Sequence, residues 1–283
     1  MTDYAFRIVN VFAETRLGGN PLAVFEDGRG LDEAIMQALA LQFNLSETTF
    51  ILPSTRASAH LRIFTPTFEM PFAGHPTLGS AHVVRALRGG DAVTLEMRAG
   101  VIPVSASGDT WTLQANAPRT RTVDASREEL AAMLRLDPAD IGAQPLWVDT
   151  GSEQLVVPLA SAAAVRRCQP DAQLLARHGS VPLPGGGSRA MAYVWAEERP
   201  GAALVRFFFP KHGAVIEDPG TGSACANLGG WLVATGSPRP RKLVLEQGEA
   251  VGRRCRLGLE VDTDGRIFVS GRVVELGCGT ITL

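Results

Sequence analysis

One short pattern occurs twice in this chain, once in each half, and it restricts the fold more than any other feature. The first copy is Arg62-Ile63-Phe64-Thr65-Pro66, then Pro71-Phe72-Ala73-Gly74-His75-Pro76, then an apolar run to Leu87. The second is Arg206-Phe207-Phe208-Phe209-Pro210, then Asp218-Pro219-Gly220-Thr221-Gly222-Ser223, then an apolar run to Ala234. Each copy reads as a strand, a Gly/Pro turn and a helix. Both helices (76–87 and 224–234) carry almost no charge on any face, which is the signature of a helix buried all round. A Gly-rich turn at a helix start leaves backbone N–H groups without partners at the positive end of the helix dipole, and so forms an anion site. Two such sites facing each other would hold one small carboxylate.

The surrounding segments repeat in the same spirit. Asp32–Phe43 has helical spacing at Ile35, Leu39 and Phe43, with Asp32 as N-cap. Ser126-Arg127-Glu128-Glu129 is a capping box opening an amphipathic helix through Leu130, Met133 and Leu134. Ser46-Glu47 leads into one strand and Ser152-Glu153 into its expected counterpart. Leu95-Glu96 follows one buried helix, and Leu245-Glu246 follows the other. We read this as an internal duplication at a spacing of about 150 residues, each half a helix wrapped by curved strands. Further strands are expected at 6–12, 22–25, 59–64, 93–97, 101–105, 111–114, 192–196, 204–209, 242–246, 256–261, 267–270 and 280–283. Asn116–Arg121, which contains Pro118, is the expected linker, and Pro182–Arg189, with three consecutive glycines, a flexible loop. The expected class is α+β: two pseudo-symmetric lobes, 1–117 and 118–283, the last strand free to return to the first lobe. Each lobe is expected to be a barrel-like, mostly antiparallel sheet around a central helix.

Composition narrows the partners. The chain has 283 residues, is 45% apolar and carries a net charge of −2. Without a Lys/Arg-rich run, nucleic acid is not an expected partner. No apolar stretch approaches the roughly 20 residues of a membrane span, and the first residues show no basic-then-apolar signal. The four cysteines have no metal-type pairing, so a cytoplasmic protein without a metal is expected.

Few residues offer chemistry. His75, at the start of a buried helix, either satisfies turn hydrogen bonds or serves as proton shuttle or substrate ligand, and the helix dipole disfavours its cation there. His82 is too far along the helix to share a metal with it. Asp218 either caps the second helix or orients His75 or a ligand amino group. Ser223 is an alternative cap, and no neighbouring histidine supports a serine nucleophile. Glu47 either points to solvent or turns into the cleft, where desolvation would make it a usable general base. Gly220-x-Gly222 lacks the third glycine and the repeated unit of a dinucleotide site, and no phosphate-loop motif is present. No cofactor is expected. Cys225 reads as a small buried apolar residue.

Across nearly its whole length the chain resembles the PhzF (phenazine biosynthesis protein) family, part of the wider diaminopimelate epimerase-like group that includes proline racemase. The matching stretches are Val9–Phe25, Asn44–Phe50, Arg62–Gly79, Glu217–Ala224 and Glu246-Gln247-Gly248. The resemblance implies two lobes with the active site between them, a homodimer and no cofactor. It implies Glu47 as general acid/base, Gly74 and His75 as substrate ligands, Asp218 as binder of polar substrate groups, and Gly222 with Ser223 as the rest of the carboxylate site. The epimerase and racemase branches place two cysteines immediately before the paired Gly turns. Ala73 and Pro219 stand there in this chain, which argues against two-thiol racemisation. The expected function is a cofactor-independent isomerase moving a proton on a small carboxylate. The alternatives are a non-catalytic carboxylate-binding protein and a cofactor-free lyase.

Overall fold

In the computed structural model the chain is mostly strands, and the structure describes residues 1–183, 186–211 and 213–283. It divides into two compact units, one of Met1–Gln114 with Ser270–Leu283, the other of Ala115–Val269. Among the described residues no helix is long and apolar enough to cross a membrane.

The first unit contains strands β1 (Asp3–Val11), β2 (Asn20–Phe25), β3 (Glu47–Leu52), β4 (Ala59–Phe64), β5 (Glu69–Met70), β6 (Ala92–Met97), β7 (Gly100–Ser107) and β8 (Thr110–Gln114), with helices α1 (Glu33–Phe43) and α2 (Gly74–Arg88). β1 pairs antiparallel with β2, β2 parallel with β3, β3 antiparallel with β4, β4 parallel with β6, and β6–β7–β8 form a meander. The last strand of the chain, β19 (Ile267–Thr282), pairs with both β8 and β1 and closes an eight-strand barrel. The two strands expected at 267–270 and 280–283 are thus one continuous strand. Closure removes the unpaired edges that an open sheet would expose.

Helix α2 packs against β1, β2, β3, β4, β6, β7 and β8, which explains its lack of a charged face. Burying each of Leu78, Val83 and Val84 contributes roughly 1.5–3 kcal/mol. The fit is close enough that a side chain is excluded at Gly79, where a Cβ would lie 2.7 Å from Leu22 Cδ2. Gly89 ends the helix, as its position predicts. Helix α1 covers the outside. Asp32 caps it by accepting the Ile35 N–H at 2.8 Å, and Asn44 in the left-handed region ends it. Its buried residues are Met36, Leu39 and Ala40, packed on Phe25, Phe50 and Phe64, whereas Ile35 is exposed. Of the expected stripe, Leu39 is buried and Phe43 packs against the same aromatic cluster, and Met36 takes the inward place expected of Ile35.

The second unit repeats the ladder. Its elements are β9 (Arg119–Thr122), α3 (Arg127–Leu134), β10 (Leu146–Asp149), β11 (Gln154–Pro158), α4 (Ala162–Arg167), α5 (Ala172–His178), β12 (Ser180–Pro182), β13 (Ser188–Ala190), β14 (Ala192–Arg199), β15 (Ala202–Lys211), β16 (Ala214–Asp218), α6 (Gly222–Ala234), β17 (Arg241–Gln247), β18 (Cys255–Val261) and the start of β19. β10 pairs antiparallel with β11, β11 parallel with β14, β14 antiparallel with β15, β15 parallel with β17, and β17 antiparallel with β18. This is the order and direction of β1 to β7 in the first unit. Ser126 and Glu129 form both bonds of the capping box that opens α3. The expected linker is partly strand: β9 pairs with β10. The ends of the expected flexible loop are strand, Pro182 in β12 and Ser188-Arg189 in the β13 strand paired with it, and Pro184 and Gly185 of that loop lie outside the described residues.

Register fixes which residues correspond. Ala59 lies opposite Leu95, and Ala203 opposite Leu245, so Arg62 answers to Arg206. Phe50 faces Arg62 and Val194 faces Arg206, so three residues back along each strand Glu47 answers to Met191. Leu95-Glu96 and Leu245-Glu246 therefore do correspond. Ser46-Glu47 and Ser152-Glu153 do not, because Ser152-Glu153 leads into β11, which takes the place of β2. The dipeptide match was a coincidence of polar residues at two different strand entries.

Candidate active site

Glu47 begins β3, next to Leu22 across a parallel pair, and its side chain is largely buried. On the same inward side of the strand, Thr49 Oγ1 lies 2.9 Å from Ser80 Oγ of α2. Glu47 thereby points at the start of α2, where its Oε2 lies 3.4 Å from His75 Nε2. Glu47 therefore does not point to solvent. Asn20 Nδ2 lies 3.4 Å from His75 Nδ1. Gly74 is the first residue of α2, and the N-cap residue Ala73 makes no side-chain cap bond to the first-turn amides.

Burial pushes His75 down to about 3, opposed by its hydrogen bond to the Pro21 backbone. The imidazole is therefore neutral at physiological pH, and its contact with Glu47 joins a carboxylate to a neutral ring. The unfolded chain takes up a proton near pH 6.5 that the folded chain refuses until about pH 3, so this contribution to stability is complete above pH 6.5 and lost as pH falls. Between pH 6.5 and 5, wild type should lose roughly 1.5 kcal/mol more unfolding free energy in urea than His75→Gln. Equal slopes in the two proteins would mean that the ring titrates freely when folded.

In the second unit, β16 ends at Asp218 and α6 begins at Gly222. The N-cap Thr221 makes no side-chain cap bond, and its hydroxyl instead donates to Asp218 Oδ2. Gln247, buried at the end of β17, braces the connection: its Nε2 donates to Asp218 O at 2.9 Å and Thr221 Oγ1 at 3.0 Å, and its Oε1 accepts from Thr221 N at 3.2 Å. The next residue, Gly248, has φ +79°, and a Cβ there would lie 2.6 Å from Pro219 O, so the Glu246-Gln247-Gly248 triplet is shaped to the Pro219 turn. Ser223 is held by Gln154, whose Nε2 donates to its Oγ at 2.9 Å. The fourth residue of α6, Cys225, is fully buried, and burial pushes its thiol far up, out of reach of base chemistry near neutral pH. Cys168 is likewise pushed up to about 12 by burial.

Six residues were thus selected from sequence. The structure gathers Glu47, Gly74 and His75 within the first unit, and Asp218, Gly222 and Ser223 within the second. Residues missed by sequence reasoning are Asn20, Thr150, Gln154, Thr221 and Asn227. Asn227 carried a usable signal, a lone amide in an otherwise apolar helix. Gln154 carried none, because one glutamine at a strand start has many surface explanations.

Comparisons with known proteins bear on the family and the fold. The family model for phenazine biosynthesis-like protein matches residues 9–278. An uncharacterized isomerase of Pasteurella multocida is 42% identical over 99% of this chain and 95% of its own length. The trans-2,3-dihydro-3-hydroxyanthranilate isomerase of Pseudomonas chlororaphis is 32% identical, covering 98% of each chain. The crystal structure of a PhzF-family phenazine biosynthesis protein from Bacillus anthracis superposes with a TM-score of 0.86 at 23% identity over the whole of both chains, which shows a common fold. The chain therefore belongs to the phenazine biosynthesis-like protein family and is an isomerase of that family.

Proposed function

We propose that this isomerase works without a cofactor, moving a proton on a small carboxylate substrate with Glu47 as the general acid/base. In this reading the substrate carboxylate is held at the helix N-termini that begin at Gly74 and at Gly222-Ser223. His75 serves as a neutral hydrogen-bonding ligand, and Asp218 binds a polar substrate group. The two units are taken as duplicated, pseudo-symmetric lobes, each contributing one helix start. The observation that carries the proposal is the inward Glu47 carboxylate, 3.4 Å from a buried histidine at the start of α2, whose N-cap residue is an alanine. Only a group that both accepts and returns a proton can run an isomerisation alone, and a carboxylate near bound substrate does so. Amides aimed at charge that develops on the substrate stabilise it by about 3–4 kcal/mol per well-placed donor. The register supports a single base, since Met191 holds the place of Glu47 in the second unit.

The test is proton NMR in D₂O with trans-2,3-dihydro-3-hydroxyanthranilate and a panel of small cyclic and amino carboxylates. Deuterium entering a product of unchanged carbon skeleton is the expected result. A product of lower mass would instead show a lyase, and saturable binding without exchange a binding protein.

A further inference from the structure

Ser223 lies in the first turn of α6, and its hydroxyl can serve a ligand either as donor or as acceptor. Its surroundings decide between the two. The backbone N–H of Thr150 donates to Asn227 Oδ1 at 2.9 Å, and the Thr150 hydroxyl donates to the same atom at 2.7 Å. Asn227 Nδ2 donates to the Ser152 backbone carbonyl at 2.8 Å. A backbone N–H only donates and a carbonyl only accepts, so these groups allow the Asn227 amide one orientation. The same Nδ2 donates to Gln154 Oε1 at 2.8 Å, which fixes the second amide and turns Gln154 Nε2 toward Ser223 Oγ, 2.9 Å away. An amide nitrogen cannot accept, so the Ser223 oxygen accepts and its own proton must point elsewhere. Asn227 and Gln154 are buried, so bulk water does not compete for these bonds.

The first unit shows that the fold does not require this chain of amides. Val9 faces Leu22 and Val148 faces Gln154, and Leu22 in turn faces Glu47, whose counterpart is Met191. Leu22 therefore answers to Gln154, and two residues beyond each valine Val11 answers to Thr150. At the same step from the helix start, α2 has Gly79 where α6 has Asn227. In the first unit these places close by direct apolar contact: a Cβ on Gly79 would lie 2.7 Å from Leu22 and 3.0 Å from Val11. Buried amides at the equivalent places gain little over such packing and carry a large penalty if any bond is left unmade. What they add is direction at Ser223.

We infer that Thr150, Asn227 and Gln154 are positioning residues that commit the Ser223 hydroxyl to donate, making that end of the site selective for an anionic, acceptor-only group such as a carboxylate. The inference deepens the carboxylate role proposed above for Ser223 and rests on it.

Two measurements test it. Neutron diffraction from the deuterated wild-type protein should show both Gln154 amide deuterons, one directed at Ser223 Oγ, and the Ser223 deuteron turned away from Gln154. A Ser223 deuteron directed at Gln154 overturns the inference. The second measurement is a double-mutant cycle on the Kd of 3-hydroxyanthranilate, the aromatic and unreactive counterpart of the dihydro compound. Gln154→Leu installs the residue that the first unit uses. It should weaken binding about tenfold when Ser223 is present, the loss of one oriented hydrogen bond, and less than twofold in the Ser223→Ala background. Equal losses in the two backgrounds would reduce the amides to a structural role, and failure of wild type to bind the probe would remove the carboxylate from Ser223. Neither readout depends on proton transfer, so a failure of the isomerase mechanism appears separately, in the D₂O exchange assay.

Discussion

Glu47→Gln is expected to lower turnover by roughly 10²–10⁴-fold while leaving the fold and ligand affinity nearly unchanged. The substitution keeps the shape of the side chain and its place at the start of β3, beside Leu22 and within reach of His75. It removes only the capacity to take and return a proton. No other described group of the first unit offers itself as a substitute near this position. His75 is neutral with its acidic form inaccessible above about pH 3, because burial outweighs the bond to the Pro21 backbone. Thr49 and Ser80 are hydroxyls engaged with each other. The buried thiols of the second unit are held protonated by desolvation. The measurement is the single-turnover rate and the D₂O exchange rate of the variant, with circular dichroism and probe binding as controls. A variant that keeps more than a tenth of wild-type exchange would show that the proton travels by another group. A variant that loses exchange and unfolds would be uninformative about the base, which is why the isosteric amide is preferred to alanine.

What could be read in the sequence, and what could not, follows the range of the interactions involved. The two buried helices, their glycine-flanked starts and the capping box at Ser126 depend on neighbours a few residues apart, and these were legible. So were Glu47 and His75 as candidates, because each stood in a distinctive local motif. The correspondence between the halves was only half legible. The Arg-x-Phe strands gave it correctly, since Arg62 and Arg206 each sit over a phenylalanine two residues on, at 5.0 and 4.7 Å from the ring centre. The Ser-Glu dipeptides misled, since register is set by hydrogen bonds between strands far apart in sequence, and a one-place change of strand is invisible in a dipeptide. The continuous β19 was hidden for a related reason. Gly271, Gly277 and Gly279 interrupt its sequence pattern, yet Gly271 and Gly279 are there because a Cβ would collide with the Phe12 and Phe6 rings. The amides that hold Ser223 were the least visible, because their meaning lies in which atom faces which, and no spacing rule reports that.

The largest stability effect should come from the arginine that this repeated strand carries. Arg206, in β15, donates through Nε and Nη2 to Glu217 Oε2 at 3.1 and 2.6 Å. Both side chains are nearly buried, at 13% and 6% exposure. Through Nη1 the same guanidinium also reaches the carbonyls of Val165, Arg166 and Cys168, which ties the end of α4 to the sheet. Arg206→Met keeps the length and apolar stem but strands the Glu217 carboxylate away from water. Removing one partner of a buried pair costs about 3–5 kcal/mol, because the remaining charge is desolvated and uncompensated. Glu217→Gln should cost less, since the three carbonyls still accept from the guanidinium. The double replacement Arg206→Met with Glu217→Met should recover part of the Arg206→Met loss, because it removes the stranded charge along with its partner. The equivalent change in the first unit, Arg62→Met, should be milder: Glu69 retains Arg98 as a second cation, whereas Glu217 has Arg206 alone among the described residues. Urea unfolding of the four variants decides the matter. The order expected, from most to least destabilised, begins with Arg206→Met, and a double variant no better than Arg206→Met would mean that the carbonyl bonds at the end of α4, rather than the ion pair, hold this part of the second unit together.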